Sequence, residues 1–264
     1  MPSVSAPSIL YLVINLPQAE KRRRSIMAQA ERFGVNIQIV PAIEGKDLDL
    51  EADAHGYSHK MRRKYFTKDL LANEVACTLS HRKALEQYLS TDADYLVLLE
   101  DDAVLAEYFN EGICELTEHL KGWEAAKLYT DDGKIYPLCP EFEGAPVQPV
   151  MPKKLPWVSV GYMYTRYAAQ KILDGMQNFW LPTDMLIARI LLSGHIPTIG
   201  VSPGLIHSAD PHNKHSTIDP KGVRFSMFPP RNLFQFLAYR ISVLRAGLSK
   251  KCMRWMMRRR ISRR

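Results

Sequence analysis

Tyr95-Leu96-Val97-Leu98-Leu99-Glu100-Asp101-Asp102 decides how this chain is read: five largely apolar residues run straight into three carboxylates. A run so short and uninterrupted predicts a strand buried on both faces, as in a parallel sheet. Such sheets receive ligands just outside the carboxyl ends of their strands. Three acids there crowd one another's charge, and a hard divalent cation with oxygen ligands relieves that repulsion. The competing reading is a plain acidic loop after a strand.

Outward from this stretch, the pattern alternates between strand and helix. Ile9–Leu16 predicts a first strand, Glu20–Phe33 a helix stopped by Gly34, and Val35–Ala42 a second strand. Residues 50–70 are polar. Asn73–Leu89 predicts a helix feeding the Tyr95–Leu99 strand. This order gives an α/β doubly wound half. Further on, Trp157–Tyr164 reads as a strand, and Arg166–Met176 and Thr183–Leu192 as helices. Between the halves, residues 137–156 hold six prolines, a density that predicts a long irregular loop.

The net charge of +7 is unevenly spread, because residues 220–264 carry 13 Lys or Arg and no acid. Removing those 13 charges leaves residues 1–219 at −6, so the composition divides an acidic body, 1–219, from a basic tail, 220–264. In the tail Leu233, Leu237, Ile241, Leu244, Leu248, Cys252 and Trp255 recur at three- and four-residue spacing. A basic amphipathic helix of this kind reads as lying on an anionic membrane surface. Docking onto the body as core, attraction to the acidic body, and nucleic-acid binding are the alternatives. No nucleic-acid partner is expected, since no base-reading motif interleaves aromatics with the charge.

Cys77, Cys114, Cys139 and Cys252 form no CxxC or Cys/His metal pattern and read as free thiols of a reducing compartment. No basic residue precedes the Ile9–Leu16 run, which therefore reads as a strand and not a signal peptide. No stretch approaches the ~20 apolar residues of a membrane span.

Several landmarks together resemble glycosyltransferase family 25, the lipooligosaccharide type. They are Val13-Ile14-Asn15-Leu16 followed by Arg22-Arg23, the segment Cys77-Thr78-Leu79-Ser80-His81, and Leu98-Leu99-Glu100-Asp101-Asp102. Gly161-Tyr162 with Ala168-Ala169, and then Pro182-Thr183-Asp184, follow in the same order. The resemblance runs from about residue 9 to residue 218. It implies a GT-A type, Rossmann-like α/β domain with a mainly parallel central sheet. It also implies an inverting enzyme that moves a hexose, galactose or glucose, from a UDP-sugar to a lipid-linked oligosaccharide. Lacking a signal peptide and an ER-retention ending, the chain fits the bacterial branch, on the cytoplasmic face of the inner membrane.

By this resemblance Asp102 ligates Mn²⁺ or Mg²⁺, with Glu100 as a further ligand; a late histidine, His207, would complete the oxygen ligands, against the reading that no histidine does. Asn15, Arg22, Arg23, Ala42, Ser80, His81, Glu100, Asp101 and Ser216 surround the donor. Asp184 is the candidate base for the acceptor hydroxyl, against a reading as a helix cap. If the chain stays extended past Leu99, Glu100 and Asp102 point one way and Asp101 the other. Asp131-Asp132-Gly133 is a second candidate for the base, against the favoured reading as a turn. His207, His212 and His215 have no metal-ligand spacing, and the 207–216 loop would make a lid. A nucleotidyltransferase would want a glycine-rich loop after the first strand, where Asn15–Glu20 has no glycine. A dehalogenase-like phosphatase would need Asp where Glu100 stands. A non-catalytic, basic-tailed binding protein is the remaining alternative.

Overall fold

A computed structural model describes residues 6–50, 55–66, 68–129, 135–138, 145, 147–152, 159–209, 248–249 and 251–263. Strands β1 (Ile9–Asn15), β2 (Ile37–Pro41), β3 (Tyr95–Glu100), β6 (Ala125–Lys127), β7 (Ile135–Pro137), β8 (Gln148–Pro152), β9 (Gly161–Thr165) and β10 (Thr198–Ser202) form one sheet in the order β2-β1-β3-β9-β6-β10-β8-β7. β1 pairs in parallel with β2 and β3, and β6 with β10. β9 and β8 run against their neighbours, so six of the eight strands share one direction. This is the expected α/β class. The reversed β9 stands between β3 and β6, which puts its first residues at the carboxyl end of β3, with Glu100 N–H bonded to Val160 C=O at 2.9 Å.

Side chains alternate across the sheet and build two cores. Val13, Val97, Leu99, Ala126 and Met163 face one side, against α1 (Glu20–Phe33) and α4 (Phe109–Cys114). Leu12, Leu96, Leu98, Tyr162 and Tyr164 face the other, against α3 (Ala72–Leu89), α5 (Arg166–Gly175) and α6 (Thr183–Ser193). Gly34 closes α1 with φ +65°, the left-handed conformation that glycine takes without steric penalty. α5 starts where Thr165 Oγ1 accepts the Ala168 N–H at 3.3 Å.

Three differences from the sequence reading have physical causes. The polar stretch 50–70 contains a helix, α2 (His59–Tyr65), capped by Ser58 Oγ accepting from Met61 N–H. The proline-rich stretch contains β8 and starts on the last residue of β7, the two in antiparallel register through Tyr136↔Met151 and Pro137↔Val150. Proline removes a donor but keeps its carbonyl, and Pro149 C=O accepts Leu138 N–H at 3.1 Å. Finally, the chain does not stay extended past Glu100. It turns at Asp101-Asp102 into the short strand β4 (Ala103–Leu105), which pairs with β11 (Ile206–Ser208).

The carboxyl part of the basic tail joins the body. Residues 251–260 are helical (α7), and β12 (Ser262–Arg263) pairs with β5 (Leu120–Lys121). Met253, Met257 and Ile261 are buried in the α1/α4 core, whereas Leu248, Cys252 and Trp255, which the apolar spacing grouped together, are exposed. The rest of that spacing, Leu233–Leu244, lies outside the described residues. No helix among the described residues is long and apolar enough to cross a membrane.

Candidate active site

The turn after β3 fans the three carboxylates into three environments. Glu100 continues the β3 alternation onto the α3 side, where its Oε1 lies 3.3 Å from His81 Nε2 and accepts the hydroxyl of Ser159. Asp101 turns to β1. Its Oδ2 accepts Asn15 Nδ2 at 2.7 Å, and its Oδ1 pairs with the Arg22 guanidinium at 3.1 Å. Asp102 turns to β11, taking Ser208 Oγ on Oδ2 at 2.9 Å, while its backbone C=O accepts Ala209 N–H at 2.8 Å.

The electrostatics differ accordingly. Burial, then the charge of Glu100, pushes the Asp102 carboxyl up to about 6. Asp101 is also raised by burial, against the pull of Arg22 and Asn15. Glu100 is held below the usual range: burial opposes this, but His81, Ser159 and the charge of Lys127 prevail. Asp102 Oδ1 is buried and has no hydrogen-bond partner among the described residues. A buried anionic oxygen without a donor is what a hard cation would satisfy, so the residues present fit a divalent metal.

Behind Glu100, the same face of the sheet carries Lys127 and Tyr162, side by side on β6 and β9. Lys127 is fully buried, its Nζ 3.2 Å from Tyr162 Oη. Asp184, in the first turn of α6, accepts its neighbour Met185 N–H at 2.7 Å. Its charge also reaches Tyr162 and Cys77, helping burial to raise both. Thr78 and Thr183, joined Oγ1 to Oγ1 at 2.9 Å, fasten α3 to the start of α6.

Most of the expected site residues therefore meet at one end of the sheet. Asn15, Arg22, Glu100, Asp101 and Asp102 share the β1–β3 end, and His81 and Asp184 face it from α3 and α6. Asn15 is buried, its Oδ1 without a hydrogen-bond partner among the described residues. Ala42 is tied by its N–H to Asn15 C=O at 2.9 Å. Ser80 is buried and occupied: its Oγ accepts Ile43 N–H at 2.9 Å and donates to Ala76 C=O at 2.8 Å, so it holds the loop after β2. Arg23 is half-buried on α1 and is not drawn to the carboxylates by any contact among the described residues. His207 is not brought in either. Strand alternation on β11 sends Ser208 to Asp102 and His207 outward, exposed opposite Val104. Ser216, His212, His215 and Asp131-Asp132-Gly133 lie outside the described residues.

Ser159, Ser208 and Lys127 escaped the sequence reading. Lys127 alone left a signal, a lysine inside the apolar run Ala125-Ala126-Lys127-Leu128. Cys77 and His81, one helical turn apart, come together with Glu100, their ligand atoms within 4.8 Å of one another. The sequence reading saw no Cys/His grouping; the third member arrives only through the fold.

Residues 9–147 match the model of "Glycosyltransferase family 25 (LPS biosynthesis protein)". The chain belongs to glycosyltransferase family 25. It is 25% identical over 142 residues to "Glycosyltransferase 25 family member" of Aedes aegypti, covering 48% of this chain and 23% of that protein. A protein of the same description from Anopheles gambiae is 24% identical over 126 residues, 44% of this chain and 21% of the relative. The match thus spans less than a quarter of the length of these relatives. A weaker, structural likeness is to "crystal structure of a glycosyltransferase involved in the glycosylation of the major capsid of PBCV-1", with a TM-score of 0.38 and 12% identity over 74% of this chain and 82% of that one. The matched region contains the Glu100-Asp101-Asp102 turn.

Proposed function

We propose that this glycosyltransferase moves a hexose, galactose or glucose, from a UDP-sugar to a hydroxyl of a lipid-linked oligosaccharide, inverting the anomeric centre with the help of Mn²⁺ or Mg²⁺. The observation that carries the reading is the carboxylate fan, above all the buried Oδ1 of Asp102, which has no hydrogen-bond partner among the described residues. The acceptor class follows the family's description as a lipopolysaccharide biosynthesis protein.

Asp102 would hold the cation, with the charge of Glu100 behind it. When bound, such an ion supplies the positive charge that a departing diphosphate needs. The protein's own residues do the remainder. Asn15 and Arg22 fix Asp101 from two directions, so that one rigid edge faces the nucleoside. Lys127 and His81 keep Glu100 anionic at the back of the site. Asp184 accepts the proton of the attacking hydroxyl, and inversion follows from attack opposite the leaving group.

UDP release should be followed across a panel of UDP-sugars with and without Mn²⁺, for the wild type and Asp102→Ala. Turnover of one sugar that needs the cation, lost by at least about a hundredfold in a folded Asp102→Ala, is the expected result. Cation-independent turnover, or full activity in Asp102→Ala, would overturn the assignment of Asp102.

A further inference from the structure

The helix at 251–260 has an inner face that fixes its outer one. Met253, Met257 and Ile261 are buried beneath the sheet. The β12–β5 pairing and an Arg260–Glu124 contact at 3.6 Å hold the carboxyl end of the helix. Gly122, at φ +88°, lies directly against the Arg260 carbonyl, where a Cβ would collide. Turned away from this anchor are Leu248, Cys252 and Trp255, a row at four- and three-residue spacing.

Leu248 is 67% exposed and Trp255 58%, more than any other exposed large hydrophobic residue among those described. Lys251, Arg258 and Arg259 are exposed along the same helix, with the Arg259 guanidinium 4.1 Å over the Trp255 ring. No acidic residue occurs anywhere in 220–264 to balance them. An indole and a leucine with exposed cations along the same helix match a layer that is apolar just below an anionic surface. A stacked guanidinium keeps its N–H edge available for a phosphate oxygen. A nucleic acid would use the charge but would leave the Leu248–Trp255 row without a role.

We propose that this outer face docks the protein on an anionic phospholipid bilayer, Leu248 and Trp255 entering the headgroup layer while Lys251, Arg258 and Arg259 meet lipid phosphates. The proposal does not depend on the transfer chemistry, and its test needs no turnover.

The full chain is sedimented with vesicles of phosphatidylcholine alone and of phosphatidylcholine mixed with phosphatidylglycerol. Binding to the mixed vesicles only is expected, weakening about fivefold for each cation lost in Lys251→Glu/Arg258→Glu/Arg259→Glu. Leu248→Ser/Trp255→Ser should weaken it on the order of tenfold through the apolar area withheld from the layer. Because all five side chains are exposed, both variants should melt with the wild type, which a thermal scan checks. A blue shift of tryptophan emission on mixed vesicles should vanish in Trp255→Phe. Equal binding to both vesicle types, no binding to either, or binding untouched by both variants would overturn the proposal. So would tight binding to a single-stranded RNA that survives Leu248→Ser/Trp255→Ser while vesicle binding is absent.

Discussion

Three carboxylates in sequence behave as three different groups because each side chain leaves the turn in a different direction. For Asp102 the consequence is a competition between a proton and a cation. With its pKa lifted to about 6, metal affinity should fall as pH drops through that value, roughly tenfold per unit below it, in calorimetric titrations with Mn²⁺. The sign for stability follows from the same shift. A carboxyl raised above its unfolded value is strained when ionised, so the cation-free protein should gain stability from this group on mild acidification. Asp102→Asn should therefore raise the melting temperature at neutral pH without added metal while abolishing cation-dependent turnover. Asp69 works oppositely. Burial opposes ionisation there, but bonds from Arg63, His59 and Tyr57 hold its carboxyl below the usual range, so its contribution is present above the ordinary aspartate range and lost as pH falls. The acidic run was legible in the sequence because apolar residues abut it. The division of labour was not, since the turn that separates Asp101 from Asp102 depends on β4 pairing with a strand a hundred residues later.

Elements legible from their spacing were the long ones. α1 spans the predicted Glu20–Phe33, and α3, α5 and α6 lie within a residue or two of their expected limits. β4, β6 and β11 are only three residues each, too short to show a period, and they are strands because of their partners. This is why Lys127, on β6, stayed hidden. Lys127→Met should leave the strand buried but remove a positive charge beside Glu100, and donor turnover should fall well before the melting temperature does. At the join of α3 and the loop after β2, Ser80→Ala removes the acceptor for Ile43 N–H. That loss should cost about 1 kcal/mol in denaturant unfolding and raise KM for the donor more than it lowers kcat.

The molecule as a whole is a sheet with a core on each side, and the C-terminal helix seals one of them. Met257→Ala should cost about 2–5 kcal/mol, seen in a thermal or urea scan, and should expose 251–260 to protease before the sheet unfolds. The tail is therefore part of the fold at its inner face, although composition alone set it apart. Asp102, by contrast, is held by the slightest of ladders, the three-residue ribbon of β4 and β11, with Ala209 N–H on the Asp102 carbonyl as its last rung. A ribbon that short opens far more often than the eight-stranded sheet. The Ala209 amide should therefore exchange with deuterium orders of magnitude sooner than that of Leu98, and a bound divalent ion should slow it, making one backbone proton a gauge of how long the site stays assembled.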